Sequence, residues 1–426
     1  MMSFNSLTVR AGIAALAIAV ITACGDSGGS GGDSTPAPPP APVVPQLNPL
    51  PSPPAVPNVM PVAVNAGPAN TGYNVNRLYT SVTVCNAGSV TQCQTIDNIL
   101  VDTGSTGLRL LSAAMAPALN LSRLNASSGL ALLNCARFVD FSAVWGPVAT
   151  ADVWLGGMKA AGIPIQIYGD ATYQNTAASC SPSAAGVTTA ADLGANGILG
   201  IGLFKEDCGP GCTTQSFNGF YYTCKDATCG AVVGTTASLA QQVQNPVPRF
   251  ATENNGLVVD LPPVGPDGAI SLNGSVVFGI GTQPNNQFTA GSVLTTDDEG
   301  YLATALAGKI LRSSFIDTGS NGFFFDSATL PECSSVAIGF YCPPTPVTVA
   351  ATIEGANGVK VPVSFVVGNV VSMLTTPPKS VLPALAGPFG NSDVFDWGLP
   401  FFYGRRVFIG IEGLTSPLGT GPLYGF

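Results

Sequence analysis

Three features of the sequence predict a mainly β chain, folded as two related lobes with few short helices. Gly (51) and Pro (36) are abundant in the 426 residues, and both weaken helix interiors. From residue 76 onward, alternating runs rich in Val, Ile, Thr and aromatic residues recur between turn residues, the pattern of half-buried strands. One phrase also occurs twice. Ile99-Leu100-Val101-Asp102-Thr103-Gly104-Ser105 in the first half returns as Phe315-Ile316-Asp317-Thr318-Gly319-Ser320 in the second. Such a repeat predicts two units that each bring one carboxyl to a shared site.

Composition narrows the chemistry. Net charge is −9 with 15 basic residues, which points away from nucleic acid, whose phosphates need a basic surface. There is no His. That excludes Ser-His-Asp and Cys-His catalysis and any zinc site built on imidazole. Carboxylates, thiols, hydroxyls and a few Lys and Arg are left.

The chain opens as a targeting segment. Arg10 precedes an apolar run, residues 11–23, too short to span a bilayer comfortably. Ile21-Thr22-Ala23-Cys24 resembles a bacterial lipobox. The resemblance implies a signal peptide at 1–23, a diacylated Cys24 and a lipid anchor in the cell envelope. Gly25 after the Cys leans this towards the outer membrane, on its periplasmic or surface side. An ordinary secretory signal with a chance Cys is the alternative. Residues 24–71, Gly/Ser-rich and then Pro-rich, read as an extended tether. Two lobes follow, at 72–255 and 256–426.

Of 11 Cys, all but Cys24 form an even set, which in an exported chain points to disulfides. Cys85 with Cys93 and Cys333 with Cys342 are expected as local pairs, and Cys135 with Cys180 as a longer one. Cys208, Cys212, Cys224 and Cys229 form a cluster whose connectivity spacing does not fix. A zinc ribbon is the competing reading of those four. Export, the Gly-Pro-Gly filler and the even count favour disulfides and no metal.

The elements follow in order. Residues 76–85 and 94–101 read as two strands, the second running straight into Asp102. A short helix is expected near Ser112–Ala116. Residues 136–143 and 148–155 read as strands of a hairpin with Trp145-Gly146 at its tip, closed off by Gly156-Gly157, and another strand covers 163–168. Gly197-Ile198-Leu199-Gly200 has a Gly-x-Gly downstream but no third Gly and no βαβ context. It reads as a buried segment with close backbone packing rather than a nucleotide loop. Residues 238–244 read as a short helix stopped by Pro246. Strands at 256–261, 275–278, 310–316, 347–353 and 360–367 complete the second half, with a solvated turn at Asp297-Asp298-Glu299. A Gly-kinked strand-like segment, 397–410, stands after Asp317 where Gly197–Gly200 stands after Asp102.

In this order the motifs resemble the pepsin-like aspartic peptidases, over roughly 72–426. The resemblance implies a bilobal pepsin-like fold of two β-barrel lobes and a peptide or protein substrate. It implies a monomer that needs no cofactor or metal. Asp102 and Asp317 would be the catalytic carboxyls sharing one proton, one acting as general base on a water and the other as acid. Thr103 and Thr318 would hydrogen-bond across the lobes. Gly104 and Gly319 complete the motifs, and Ser105 and Ser320 would orient the outer carboxylate oxygens. Trp145 and Gly146 would belong to a flap. Three features depart from the family. Arg109 stands where it usually has Trp, the flap lacks Tyr-Gly, and a Cys-rich insertion covers about 204–235. The words around the first motif also resemble a family of uncharacterised bacterial exported proteins, from which no activity follows. A silent binding module or a structural envelope lipoprotein on the same fold stays open beside the peptidase.

Overall fold

The computed structural model describes residues 45–180, 186–334, 336–374 and 377–426. The signal peptide, Cys24 and the first part of the tether fall outside these residues. The chain is a mainly β, bilobal protein. Among the described residues no helix exceeds four residues, and none is long and apolar enough to cross a membrane.

Both lobes repeat one topology. In the first, strand Cys93–Asp102 leads into Asp102 and strand Thr106–Leu111 leads away. The later strand Gly197–Ile201 slots between them. It runs parallel to the first, with Leu100 opposite Ile198 and Asp102 opposite Gly200, and antiparallel to the second. In the second lobe Lys309–Ile316, Phe323–Phe325 and Phe395–Trp397 do the same. Phe315 lies opposite Asp396 and Ile316 opposite Trp397 in the parallel pair, and the other pair is antiparallel.

A strand held on both edges and covered on both faces carries continuous rather than alternating apolar residues. Gly197–Ile201 is accordingly buried at every position. A Cβ on Gly200 would sit 2.6 Å from the Thr106 backbone nitrogen, so the Gly-x-Gly there serves close strand packing. The second lobe packs around rings: Phe395 stacks on Trp397 at 4.0 Å and on Phe325 at 4.8 Å.

A sheet spans the junction between lobes. Val59–Val64 pairs with Leu272–Phe278, which pairs with Gly256–Leu261, and that strand pairs with Arg405–Gly410. This corrects the extent of the tether. The folded body begins before residue 72, and the backbone N–H of Asn48 already donates to the Cys93 carbonyl at 2.8 Å. Met60, Val62 and Val64 are buried, but the surrounding prolines obscure that alternation in the sequence.

Two further expectations fail. Residues 238–244 form a turn, not a helix, because Gln242 and Gln244 are buried and donate their side-chain amides to backbone carbonyls of Gly209, Ala237 and Leu239. Trp145 and Gly146 are not a hairpin tip. They lie inside the strand Ala143–Leu155, paired opposite Cys135 and Asn134. The Trp145 indole N–H donates to the Tyr173 carbonyl at 2.8 Å, and its ring meets Tyr222 edge-on at 5.2 Å. A Cβ on Gly146 would fall 1.9 Å from the Ile167 carbonyl oxygen. The turn is at Phe138–Ser142, where Asp140 accepts from the backbone N–H and hydroxyl of Ser142 and Phe141 takes φ 66°. An Asx turn of this kind needs neither Gly nor Pro.

Ten cysteines form five disulfides. Cys85–Cys93, Cys333–Cys342 and Cys135–Cys180 pair as expected. The open cluster resolves into Cys208–Cys212 and Cys224–Cys229. Five disulfides fit an oxidising, extracytoplasmic environment.

Candidate active site

Strand Cys93–Asp102 ends on Asp102 and strand Lys309–Ile316 ends one residue before Asp317, and the turn that follows each points both carboxyls at one spot between the lobes. Asp102 and Asp317 are 6% and 7% exposed. The backbone N–H of Gly104 stands 2.9 Å from Oδ1 of Asp102 and 3.0 Å from Oδ1 of Asp317. One donor therefore faces both carboxyls, which also hydrogen-bond to each other. The outer oxygens are held separately. Ser105 donates to Oδ2 of Asp102 at 2.5 Å, and Ser320 donates to Oδ2 of Asp317 at 2.9 Å. The Gly319 N–H adds a bond to Oδ1 of Asp317 at 2.6 Å.

The glycines of the motif are fixed by space. A Cβ on Gly104 would meet Cγ of Asp317 at 2.6 Å, and one on Gly319 would meet Oδ1 of Asp102 at 2.8 Å. The threonines turn the other way. The N–H of Thr103 donates to Oγ1 of Thr318 at 3.1 Å, and the N–H of Thr318 donates to Oγ1 of Thr103 at 3.0 Å. The Thr318 hydroxyl donates on to the Val101 carbonyl at 2.7 Å.

Electrostatics couple the pair. Burial, and next the charge of Asp317, push the Asp102 carboxyl well above the ordinary carboxylate range, against the pull of Ser105 and Gly104. Like charges this close cannot both ionise, so the pair shares a proton and titrates as a unit.

Two features of the site escaped sequence reasoning, and a third was visible there only without its partners. Asp396, in the strand beside Asp317, is 1% exposed, and its Oδ1 is buried without a hydrogen-bond partner. Asn76, fully buried, ties the lobes together. Its amide donates to the carbonyls of Asn321 and Leu382 at 2.8 and 2.7 Å, and its oxygen accepts from Tyr403 at 2.8 Å. A residue at φ 50° before a strand is a place where Asn is favoured, the one available signal.

Arg109 is the third. It is buried and ion-paired to Asp207 at 3.1 Å, and it donates to Asn134 and Gln166 at 2.6 and 2.7 Å. Asp207 also accepts from Tyr221. The cationic residue thus joins the strand after Asp102 to the Leu132–Arg137 hairpin strand and to the Cys-rich insertion. That insertion supplies strand Tyr221–Cys224, which pairs with the outer edge of Leu132–Arg137. The hairpin strand is therefore hydrogen-bonded on both edges and tied by Cys135–Cys180.

Comparison with known proteins adds the following. A solved aspartic proteinase from Irpex lacteus is similar over 86% of this chain and 96% of its own, with 14% identity and a TM-score of 0.43. Among curated proteins none matches this sequence. Residues 54–426 match the family described as "Protein of unknown function (DUF3443)", and the chain belongs to that family.

Proposed function

We propose that this protein is an exported aspartic endopeptidase that hydrolyses peptide bonds in peptide or protein substrates. The observation that carries the reading is the single Gly104 N–H facing Oδ1 of both Asp102 and Asp317, which supports two carboxyls close enough to work as a pair at the lobe junction.

The chemistry we assign to the pair uses that closeness. Asp317, ionised, takes a proton from a bound water as its oxygen attacks the scissile carbonyl carbon. Asp102, protonated, gives its proton to the carbonyl oxygen, and a tetrahedral diol results. The proton now on Asp317 passes to the amide nitrogen, the C–N bond breaks, and a diol proton returns to Asp102. Ser105 and Ser320 hold the carboxyl planes, and the Thr103–Thr318 bonds keep the lobes from separating the pair. These residues need no cofactor or metal. We further propose that Cys24 carries a lipid that holds a monomeric body at the bacterial envelope, on the outer membrane.

A catalytically silent binding module is the second reading. One observation favours it. The hairpin strand Leu132–Arg137 is paired on both edges, which limits closure over a substrate.

Full-length protein in detergent, incubated with an unfolded protein between roughly pH 3 and 7, separates the two. The peptidase reading predicts slow endoproteolysis, fastest in acid and blocked by a statine-type inhibitor. Binding of that inhibitor without cleavage at any pH supports the silent module. For the anchor, Cys24→Ser should release the protein from membranes.

A further inference from the structure

The pairing registers give each residue beside the dyad a counterpart in the other lobe. Asp102 lies opposite Gly200, so Ile198 stands two residues before that Gly. In the second lobe Gly398 holds the corresponding place after Trp397, and two residues before it stands Asp396. The position is Ile on one side of the centre and a carboxylic acid on the other. Both are buried, Ile198 at 2% exposure and Asp396 at 1%.

The surroundings of Asp396 suit a neutral acid. Across the strands it faces rings and aliphatic groups: Phe315 opposite in one pairing and Phe324 in the other. The turn Leu399–Phe402 that follows is apolar and buried. The charged groups that act on Asp396 are Asp317 and Asp102, both acidic. Tyr424 spends its hydroxyl on the Ile316 carbonyl, and Arg405 turns to the Phe401 carbonyl and ring. An ionised carboxylate with one oxygen buried and unpartnered would be unpaired charge next to like charge, the costliest arrangement open to it.

Ser320 connects Asp396 to the dyad. Its one hydroxyl proton goes to Oδ2 of Asp317 at 2.9 Å, and the same side chain acts on the Asp396 carboxyl, where a donated proton would favour the ionised form. With the proton spent on Asp317, the Ser320 oxygen is left to accept, and only a protonated Asp396 has a proton to give. The chain then runs from Asp396 O–H to Ser320 to Asp317, and successive donors polarise one another. Ser105, on the other side, has Ile198 at the matching position.

We propose that Asp396 is a third carboxyl of this centre, a positioning residue that keeps its proton at neutral pH and, through Ser320, favours Asp317 as the ionised partner of Asp102. The proposal deepens the peptidase reading and rests on it for its catalytic meaning. Burial, and next the Asp317 charge, push the Asp396 carboxyl well above the ordinary range, against the pull of Ser320.

The test has one arm that is independent of activity. Infrared spectra of the full-length protein at pH 7 should show a buried carboxylic-acid C=O band that persists in Asp102→Asn and in Asp317→Asn and disappears in Asp396→Asn. The second arm is the pH profile of cleavage. Asp396→Leu, which removes the donor, should move the acid limb to higher pH, whereas Asp396→Asn, which keeps a neutral donor, should restore it. If the acid band is absent at pH 7, or is lost in Asp102→Asn instead, the proposal fails. A limb that Asp396→Leu does not move also overturns it. If no variant or wild type cleaves, the peptidase reading falls while the infrared arm still decides the protonation of Asp396. Should Asp396→Leu not fold, the band assignment from Asp396→Asn stands alone as the test.

Discussion

Thr103 and Thr318 exchange hydrogen bonds across the lobe junction, each backbone N–H donating to the other's hydroxyl oxygen at 3.1 and 3.0 Å. Both side chains are buried, so losing a hydroxyl leaves a donor with no water to replace it. Thr318→Val should cost about 1–3 kcal/mol, read from guanidinium unfolding. It should also weaken any cleavage, because the same bonds set the spacing of the carboxyls.

Stability should depend on pH through two carboxyls held above their unfolded values. Asp102 and Asp396 both move upward on folding, chiefly through burial. Their contribution is fully present below the unfolded carboxyl range and is lost as pH rises through the folded values. Each proton bound more tightly in the folded state can cost up to about 1.4 kcal/mol per pH unit across that window. Asp152, lowered by its Lys159 partner and the N–H groups of Gly88 and Gly162 despite burial, acts oppositely and loses its contribution as pH falls. Asp102→Asn should therefore lose less stability than wild type between acid and neutral pH, as measured by unfolding midpoints along a pH series.

The buried Arg109–Asp207 pair gives a sharper stability prediction. Removing one partner leaves the other charged and desolvated, at a cost of about 3–5 kcal/mol. Arg109→Met should reach that range, and adding Asp207→Asn should return part of it. A double-mutant cycle in urea measures the coupling; additive losses would contradict the ion pair.

How much of this was legible in the sequence depended on the distance between cooperating residues. Asp102 and Asp317 were readable because each lobe repeats its strand, turn and acid as one contiguous phrase. The strand at 256–261 was readable from its short apolar run and that at 360–367 from local alternation. Arg109 was noticed, but its partners Asn134, Gln166, Asp207 and Tyr221 are scattered over strands and an insertion, and only the three-dimensional pairing joins them. Asp396 gave no local signal. Its meaning lies in its correspondence to Ile198, which becomes visible only when the two parallel registers are compared. Trp145 misled because Gly146-Pro147 resembles a turn, while the real turn at Phe138–Ser142 uses Asp140 and a residue at positive φ.

The Cys135–Cys180 disulfide closes a loop of sequence separation 45, and loop-closure entropy assigns it about 4 kcal/mol. Replacing both Cys by Ser should lower stability by an amount of that order. It should also expose the Phe138–Ser142 turn, so limited proteolysis ought to nick the variant there before wild type.

The central claim is that Asp102 and Asp317 act together on peptide bonds. It is tested most directly by cleavage rates of an unfolded protein by the full-length wild type, Asp102→Asn and Asp317→Asn across the acid range. General acid–base catalysis contributes about 10²–10⁴-fold, so each single variant should fall by at least about 100-fold, with the double variant no lower than the worse single one. Equal rates in wild type and either variant at every pH would contradict the account.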